Sequence, residues 1–161
     1  MKTKKELNEI SKHLYYEFLM FTALTNEMIK GHPAGLINNS LLQSFITHVR
    51  NLIDFLYPKE NSGNDDVMAK HFFENPEDWL KVCPASTALL QEAKRRANKE
   101  LAHLTYSRLR VSPEQKTWAF ANIAIDMVNC FDVFMANVSR DLLHSDWDKF
   151  WQFRDKFNKK S

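Results

Sequence analysis

Apolar residues recur at helical spacing along almost the whole chain. In SLLQSFITHVRNLIDFLY, Leu41, Leu42, Phe45, Val49, Leu52, Ile53 and Leu56 fall on one helical face, and His48, Arg50, Asn51 and Asp54 on the other. WAFANIAIDMVNCFDVFMANVSR is apolar around much of its circumference, as expected of a helix at the centre of a bundle. Its polar residues Asn122, Asp126, Asn129 and Arg140 fall on one narrow line. Leu90, Ala93, Ala97, Leu101 and Leu104 make a third stripe. No stretch sustains the alternation of a half-buried strand. Pro33, Pro58, Pro76, Pro84 and Pro113 fall between the periodic segments, where helices have ended or are about to begin. The pattern predicts helices over roughly 3–30, 36–57, 85–105, 113–143 and 146–158, with short helical turns near 66–71 and 77–80. Ser112, Pro113 and Glu114 have the order of cap, first helical residue and first-turn acid. The expected fold is all-α, a single-domain bundle of five main helices with the short turns between the second and third.

Composition narrows this picture. A chain of 161 residues can bury one sizeable core, and only three glycines argue further against a turn-rich sheet protein. A net charge of +2 is too small for a polyanion-coating surface, so any nucleic-acid contact must come from local clusters. Lys and Arg do cluster at both termini and over Lys94 to Lys99, the ordinary reading of each run being a solvated face. Cys83 and Cys130 make neither a disulfide framework nor a zinc spacing, and fit buried thiols in a reducing cytoplasm. The opening MKTKKELNEI leads into a charged helix rather than the apolar core of a signal peptide. Thr117 to Leu143 is interrupted by Asp126, Asp132, Arg140 and Asp141, so no membrane span is expected and the predicted location is cytoplasmic.

The densest chemistry lies in RRANKELAHLTYSR, residues 95–108. Arg96, Glu100 and His103 stand at i, i+4 and i+7, which places a cation, a carboxylate and an imidazole along the shoulder of the third apolar stripe. Such a trio serves equally as a reactive site or as a polar tie between helices. On the second helix Arg50 and Asp54 have the spacing of a helical ion pair, while His48 and Asn51 lie on the shoulder of the core stripe beside Ser44 and Phe55. Asp126, if buried, needs a partner, and Arg50, Arg96 and His103 are the available kinds.

Three segments, HVRNLIDFLY at 48–57, NDDVMAKHFF at 64–73 and NKELAHLTYSR at 98–108, together resemble a family of small, largely uncharacterised all-helical bacterial proteins. More broadly, the chain is similar to the HEPN superfamily, whose active members carry an arginine, four to six residues, then a histidine; Arg96, six residues and His103 satisfy that spacing. The resemblance implies RNA binding or metal-independent RNA cleavage by a homodimer. His103 would then act as acid or base toward the 2′-hydroxyl, and Arg96 would stabilise charge on the phosphate. His48, Arg50, Asn51, Asn98, Lys99, Tyr106 and Arg108 are the candidate binding residues around that pair. The superfamily commonly has a polar residue directly after the arginine. Here Ala97 follows Arg96, and Asn98 comes one step later. Arg50 is followed by Asn51 but by no histidine four to six residues on. These two half-matches allow Arg50, Asn51 and His103 to converge in space.

Two other readings fit the same residues. Glu100 with His103, and Asp141 with His144, have the spaced carboxylate and histidine of di-iron bundles, with Glu17, Glu27 or Asp54 as bridging carboxylates. No second Glu-x-x-His occurs, and no metal or cofactor is assigned. The third reading is a non-catalytic interaction bundle in which His48, Arg50, Asp126 and His103 are structural ties. Trp147, Phe150, Trp151 and Phe157 approximate one face of the last helix, a pattern for packing onto the bundle or across a dimer. Asp65 and Asp66 have the position of caps for the short helix they precede. Tyr57, Tyr106 and Arg108 lie near helix ends, where they are candidates to line a cleft.

Overall fold

The computed structural model describes residues 2–57, 65–101, 106–110, 112 and 117–152, without the side chains of Ser107 and Arg108. Its regular elements are all helical, with no strand among the described residues. Helix α1 spans Lys4–Ile29. It starts at a reciprocal cap, in which the Glu6 backbone N–H donates to Thr3 Oγ1 at 3.2 Å and the Thr3 backbone N–H donates to Glu6 Oε2 at 2.7 Å. It stops where Gly31 adopts a left-handed φ of 77° and its N–H reaches the Met28 carbonyl at 3.1 Å. Helix α2 spans Leu36–Leu56 and returns antiparallel to α1, with Phe45 against Phe21 and His48 against Glu17. A 3-10 turn at Ala69–Phe72 and the short helix α3, Pro76–Val82, cap the far end of α2. There the Trp79 indole donates to the Leu56 carbonyl at 3.1 Å. That bond satisfies one of the orphan acceptors at the α2 C-terminus.

Helix α4, Ala88–Arg96, begins at Thr87, whose hydroxyl accepts the Leu90 N–H at 3.2 Å. It packs antiparallel to α2, and α5, Phe120–Asn137, runs parallel to α2 and antiparallel to α1. A ring cluster joins the layers: Phe134 of α5 meets Phe55, Phe72, Phe73 and Trp79, and Phe131 stacks on Phe18 and Trp147. The described residues named for the α2 and α4 stripes are buried or half-buried, with Leu104 outside the described residues, while α5 buries one face and leaves Ile125 exposed.

The boundaries depart from the periodic pattern in three places. The third predicted helix is α-helical only to Arg96 and continues as a π-helical turn over Ala97–Leu101; residues 102–105 lie outside the described residues. The fourth, expected over 113–143, spans Phe120–Asn137. Ser112 is non-helical, and residues 113–116, with the expected cap sequence, lie outside the described residues. After Asn137 the backbone turns extended at Val138 and Ser139, where the Ser139 hydroxyl binds the Asp141 carboxylate. The chain is then fastened to α1, because the Asn8 side chain donates to the Leu143 carbonyl at 2.9 Å and the His144 N–H donates to buried Ser11 Oγ at 2.7 Å. Leu142 and Leu143 keep the segment apolar, so the break is invisible to periodicity. The last helix enters through a 3-10 turn at Ser145–Trp147 and is helical over 148–152. Trp147 and Trp151 pack on the protein's own bundle, and Phe157 lies outside the described residues. The short helix after Asp65 and Asp66 is capped by Met68 instead, because it begins at Ala69.

Among the described residues no helix is long and apolar enough to cross a membrane. Cys130 is buried, Cys83 is half-buried, and neither is in a disulfide. The Tyr57 hydroxyl donates to Cys130 Sγ at 3.0 Å, so Tyr57 belongs to the core rather than to a cleft. Burial, and secondarily the neighbouring Cys130, push the Cys83 thiol up to about 11. Burial also raises the Tyr57 phenol, with the bond to Cys130 adding to it. The thiolate is the reactive form, so Cys83 in the native protein at pH 8 is expected to alkylate about a hundredfold more slowly than in the unfolded chain. Iodoacetamide labelling followed by mass spectrometry, with and without guanidinium, measures that ratio. Equal rates would contradict the burial.

Candidate functional site

The polar candidates separate onto two sides of α2. On the α1 side, Glu17 Oε2 accepts from His48 Nδ1 at 2.7 Å and from Asn51 Nδ2 at 3.0 Å. A carboxylate only accepts, so the imidazole proton in this contact sits on Nδ1. Tyr16 packs edge-on to the His48 ring at 5.8 Å, and His48 itself is buried. This trio ties the first two helices together and leaves the His48 ring little access to a ligand.

On the α4 side the charges form a chain of pairs. Arg96 donates from Nε to Glu100 Oε1 at 2.9 Å and from Nη2 to Oε2 at 3.0 Å, the two-pronged geometry in which a guanidinium fits a carboxylate best. Its Nη1 donates to the Thr117 carbonyl at 3.0 Å, and its flat face lies 4.0 Å from the Trp118 ring centre. With side chains only 12% and 18% exposed, Arg96 and Glu100 are a packed joint between the π turn and the entry to α5. Lys94 reaches Asp54 Oδ1 at 2.6 Å, and Arg95 binds Glu92 at 2.6 and 2.7 Å. Each of Lys94, Arg95 and Arg96 therefore has its own carboxylate, on α2, on α4 and on the π turn respectively.

Arg50 differs. Its ion-pair partner, Asp54 Oδ2, is 3.9 Å from Nε, beyond hydrogen-bond reach, and that Nε is buried without a hydrogen bond among the described residues. Arg50 lies on the wall of a cavity of about 330 Å³ between α2 and the π turn. Gln43, Ile46 and Thr47 line it from α2, and Ala97, Glu100 and Leu101 from the other side. Two local features open this gap. The π turn widens the helix directly after Arg96, and the residue placed against α2 there is a small alanine. Among the described residues of this cluster, Arg50, Lys94 and Arg96 face the two carboxylates of Asp54 and Glu100, an excess of one positive charge.

The structure thus brings Arg50, Arg96 and Glu100 together and sends His48 and Asn51 away from them, so Arg50 and Asn51 do not converge. Asn98 is half-buried and Lys99 exposed on the π turn, while Tyr106 stands 91% exposed in the 3-10 turn Tyr106–Arg110. His103 and the Arg108 side chain lie outside the described residues. Asp126 is half-buried, and its partner is a hydroxyl rather than a cation: Thr87 Oγ1 donates to it at 2.6 Å, joining α5 to the start of α4. The carboxylates of the metal reading are dispersed, with Glu27 at Lys30 and His32, Asp141 at Lys4 and Ser139, and Glu17 and Asp54 on opposite sides of α2. Among the described residues no group of three or more histidines, cysteines and carboxylates is placed to hold a metal ion. Glu17, Lys94, Thr87 and Thr117 were not legible as partners, because each reaches its contact from a different helix or segment. No family model, no curated protein and no solved structure matches the chain, so the site is read from its geometry alone.

Proposed function

We propose that this protein is an interaction bundle that assembles as a homodimer through the groove between α1 and α5. The observation that carries this reading is the groove itself. Phe21, Thr22, Thr25, Asn26 and Ile29 form one wall, Ala121, Ala124, Ile125, Val128 and Asn129 the other, and the space between is about 640 Å³. Ile29 is 65% and Ile125 60% exposed, and no lining residue is charged. In a two-fold assembly each surface meets its own copy, so any charge near the axis meets a like charge. An uncharged apolar face escapes that penalty and gains from leaving water. The engaged guanidinium of Arg96 supports the non-catalytic side of the reading, since each of its three nitrogens donates a hydrogen bond within the protein and its face lies on Trp118.

A second reading, a HEPN-like RNA-binding protein or metal-independent endoribonuclease, draws on the single positive charge of the α2/α4 cleft. In this reading Arg96 stabilises charge on the phosphate, His103 supplies the proton transfer, and Arg50 is one of the binding residues. Sedimentation velocity across a wide concentration range tests the first reading: the wild-type chain is expected to form a dimer and the Ile125→Glu variant a folded monomer. A monomer at every concentration overturns it. Incubation with varied single-stranded RNAs, with and without chelator, tests the second. Chelator-resistant cleavage abolished by His103→Ala would establish it over the non-catalytic reading.

A further inference from the structure

We propose that the α2/α4 cleft is a binding site for a small monocarboxylate, with Arg50 as its anion-binding group. This inference does not depend on the α1/α5 groove. Unlike Arg96, Arg50 makes no side-chain hydrogen bond among the described residues: its ion pair with Asp54 is long, at 3.9 Å, and its Nε is buried without a hydrogen bond. Its side chain is 37% exposed, so the guanidinium is reachable from solvent while its inner edge is not solvated. A guanidinium held by one long ion pair keeps its outer N–H donors for an anion in the cavity.

Charge and shape indicate the kind of ligand. Lys94 engages Asp54 at 2.6 Å, and Arg96 engages both oxygens of Glu100, which leaves Arg50 only a long contact with a carboxylate already shared. One positive charge matches a monoanion. The walls near Arg50 still carry carboxylate oxygens, and a flat carboxylate lying in the guanidinium plane keeps its own oxygens on that one group. Arg96 and Glu100 already display the preferred pairing on the opposite side of the cleft. The Gln43 side chain offers a further donor, and Ile46, Ala97 and Leu101 offer apolar surface for a short alkyl chain. The volume of about 330 Å³ lies at the small end of ligand pockets, which fits a compound of amino-acid size rather than a polymer.

Titration with butyrate, followed by NMR of the arginine Nε–H signals and backbone amides, tests the proposal. A saturable shift of the Arg50 Nε–H signal and of the amides of Thr47 and Ala97 is expected. Arg50→Gln should weaken the amide response by about tenfold or more, and Arg50→Lys should weaken it as well, because it keeps the charge and loses the fork. Arg95→Gln, on an exposed pair away from the cleft, should leave it unchanged. Unaltered amide spectra of the free variants establish that they are folded. Linear, non-saturating shifts, or shifts that persist in Arg50→Gln, would overturn the site. Dimethyl phosphate binding as tightly as butyrate would overturn the carboxylate assignment in favour of a phosphodiester and so support the RNA reading.

Discussion

Trp147→Ala is expected to lower stability by about 3–5 kcal/mol, which for a chain of this size lowers Tm by roughly 10 °C or more. The indole is fully buried and lies within ring-contact distance of Tyr15 at 5.1 Å, Phe18 at 6.0 Å, Phe131 at 5.8 Å and Phe150 at 5.9 Å. Its N–H donates to the Ser11 carbonyl at 3.0 Å, so one side chain closes the C-terminal segment onto α1 and α5 together. Alanine removes the ring from a site walled by rigid neighbours that cannot collapse into the space. Trp147→Phe should recover much of the loss, since it restores most of the volume and omits only the N–H. Urea unfolding of the three proteins measures the differences. A cost below about 1 kcal/mol for the alanine variant would show that the C-terminal segment is not part of the cooperative core.

Arg96→Met is expected to cost about 2–4 kcal/mol, more than an exposed ion pair would, because it strands the half-buried Glu100 carboxylate. The Arg96→Met, Glu100→Met double variant should recover most of that loss, as removing both charges also removes the desolvation they share. The pair of measurements separates two roles for Arg96. If it is a joint, the double variant is stable and assembles like the wild type. If it is catalytic, the wild type cleaves RNA, and the double variant is equally stable yet inactive. Denaturation curves, sedimentation and RNA cleavage on the same three proteins decide between them.

Self-association and the carboxylate cleft occupy different parts of the molecule, and their tests are independent. The dimer reading uses the outer groove of α1 and α5, whose lining is uncharged. The cleft lies on the α4 side of α2, where Arg50 has a long ion pair with Asp54 and its Nε has no hydrogen bond among the described residues. Loss of one leaves the other standing.

What the sequence determined by itself is what depends on neighbours along the chain. The 3.6-residue spacing of Leu41, Phe45, Val49, Leu52 and Leu56 is enough to make α2 a helix with one buried face, because a helix puts those positions on one side whatever it packs against. The i, i+4 relation of Arg96 and Glu100 was legible for the same reason, although an α-to-π change lies between them. Tertiary structure decided the rest. His48 and Arg50 are two residues apart and therefore point to different neighbours, yet nothing local says that Glu17 waits on one side and a cleft on the other. The end of α5 at Asn137 follows from bonds that Asn8 and Ser11 make to Leu143 and His144 across more than 130 positions, and Asp126 found Thr87 instead of an arginine. Periodicity reports which face of a helix is apolar. Which polar group ends up opposite which is set by how the helices cross, and that is a property of the whole packed bundle.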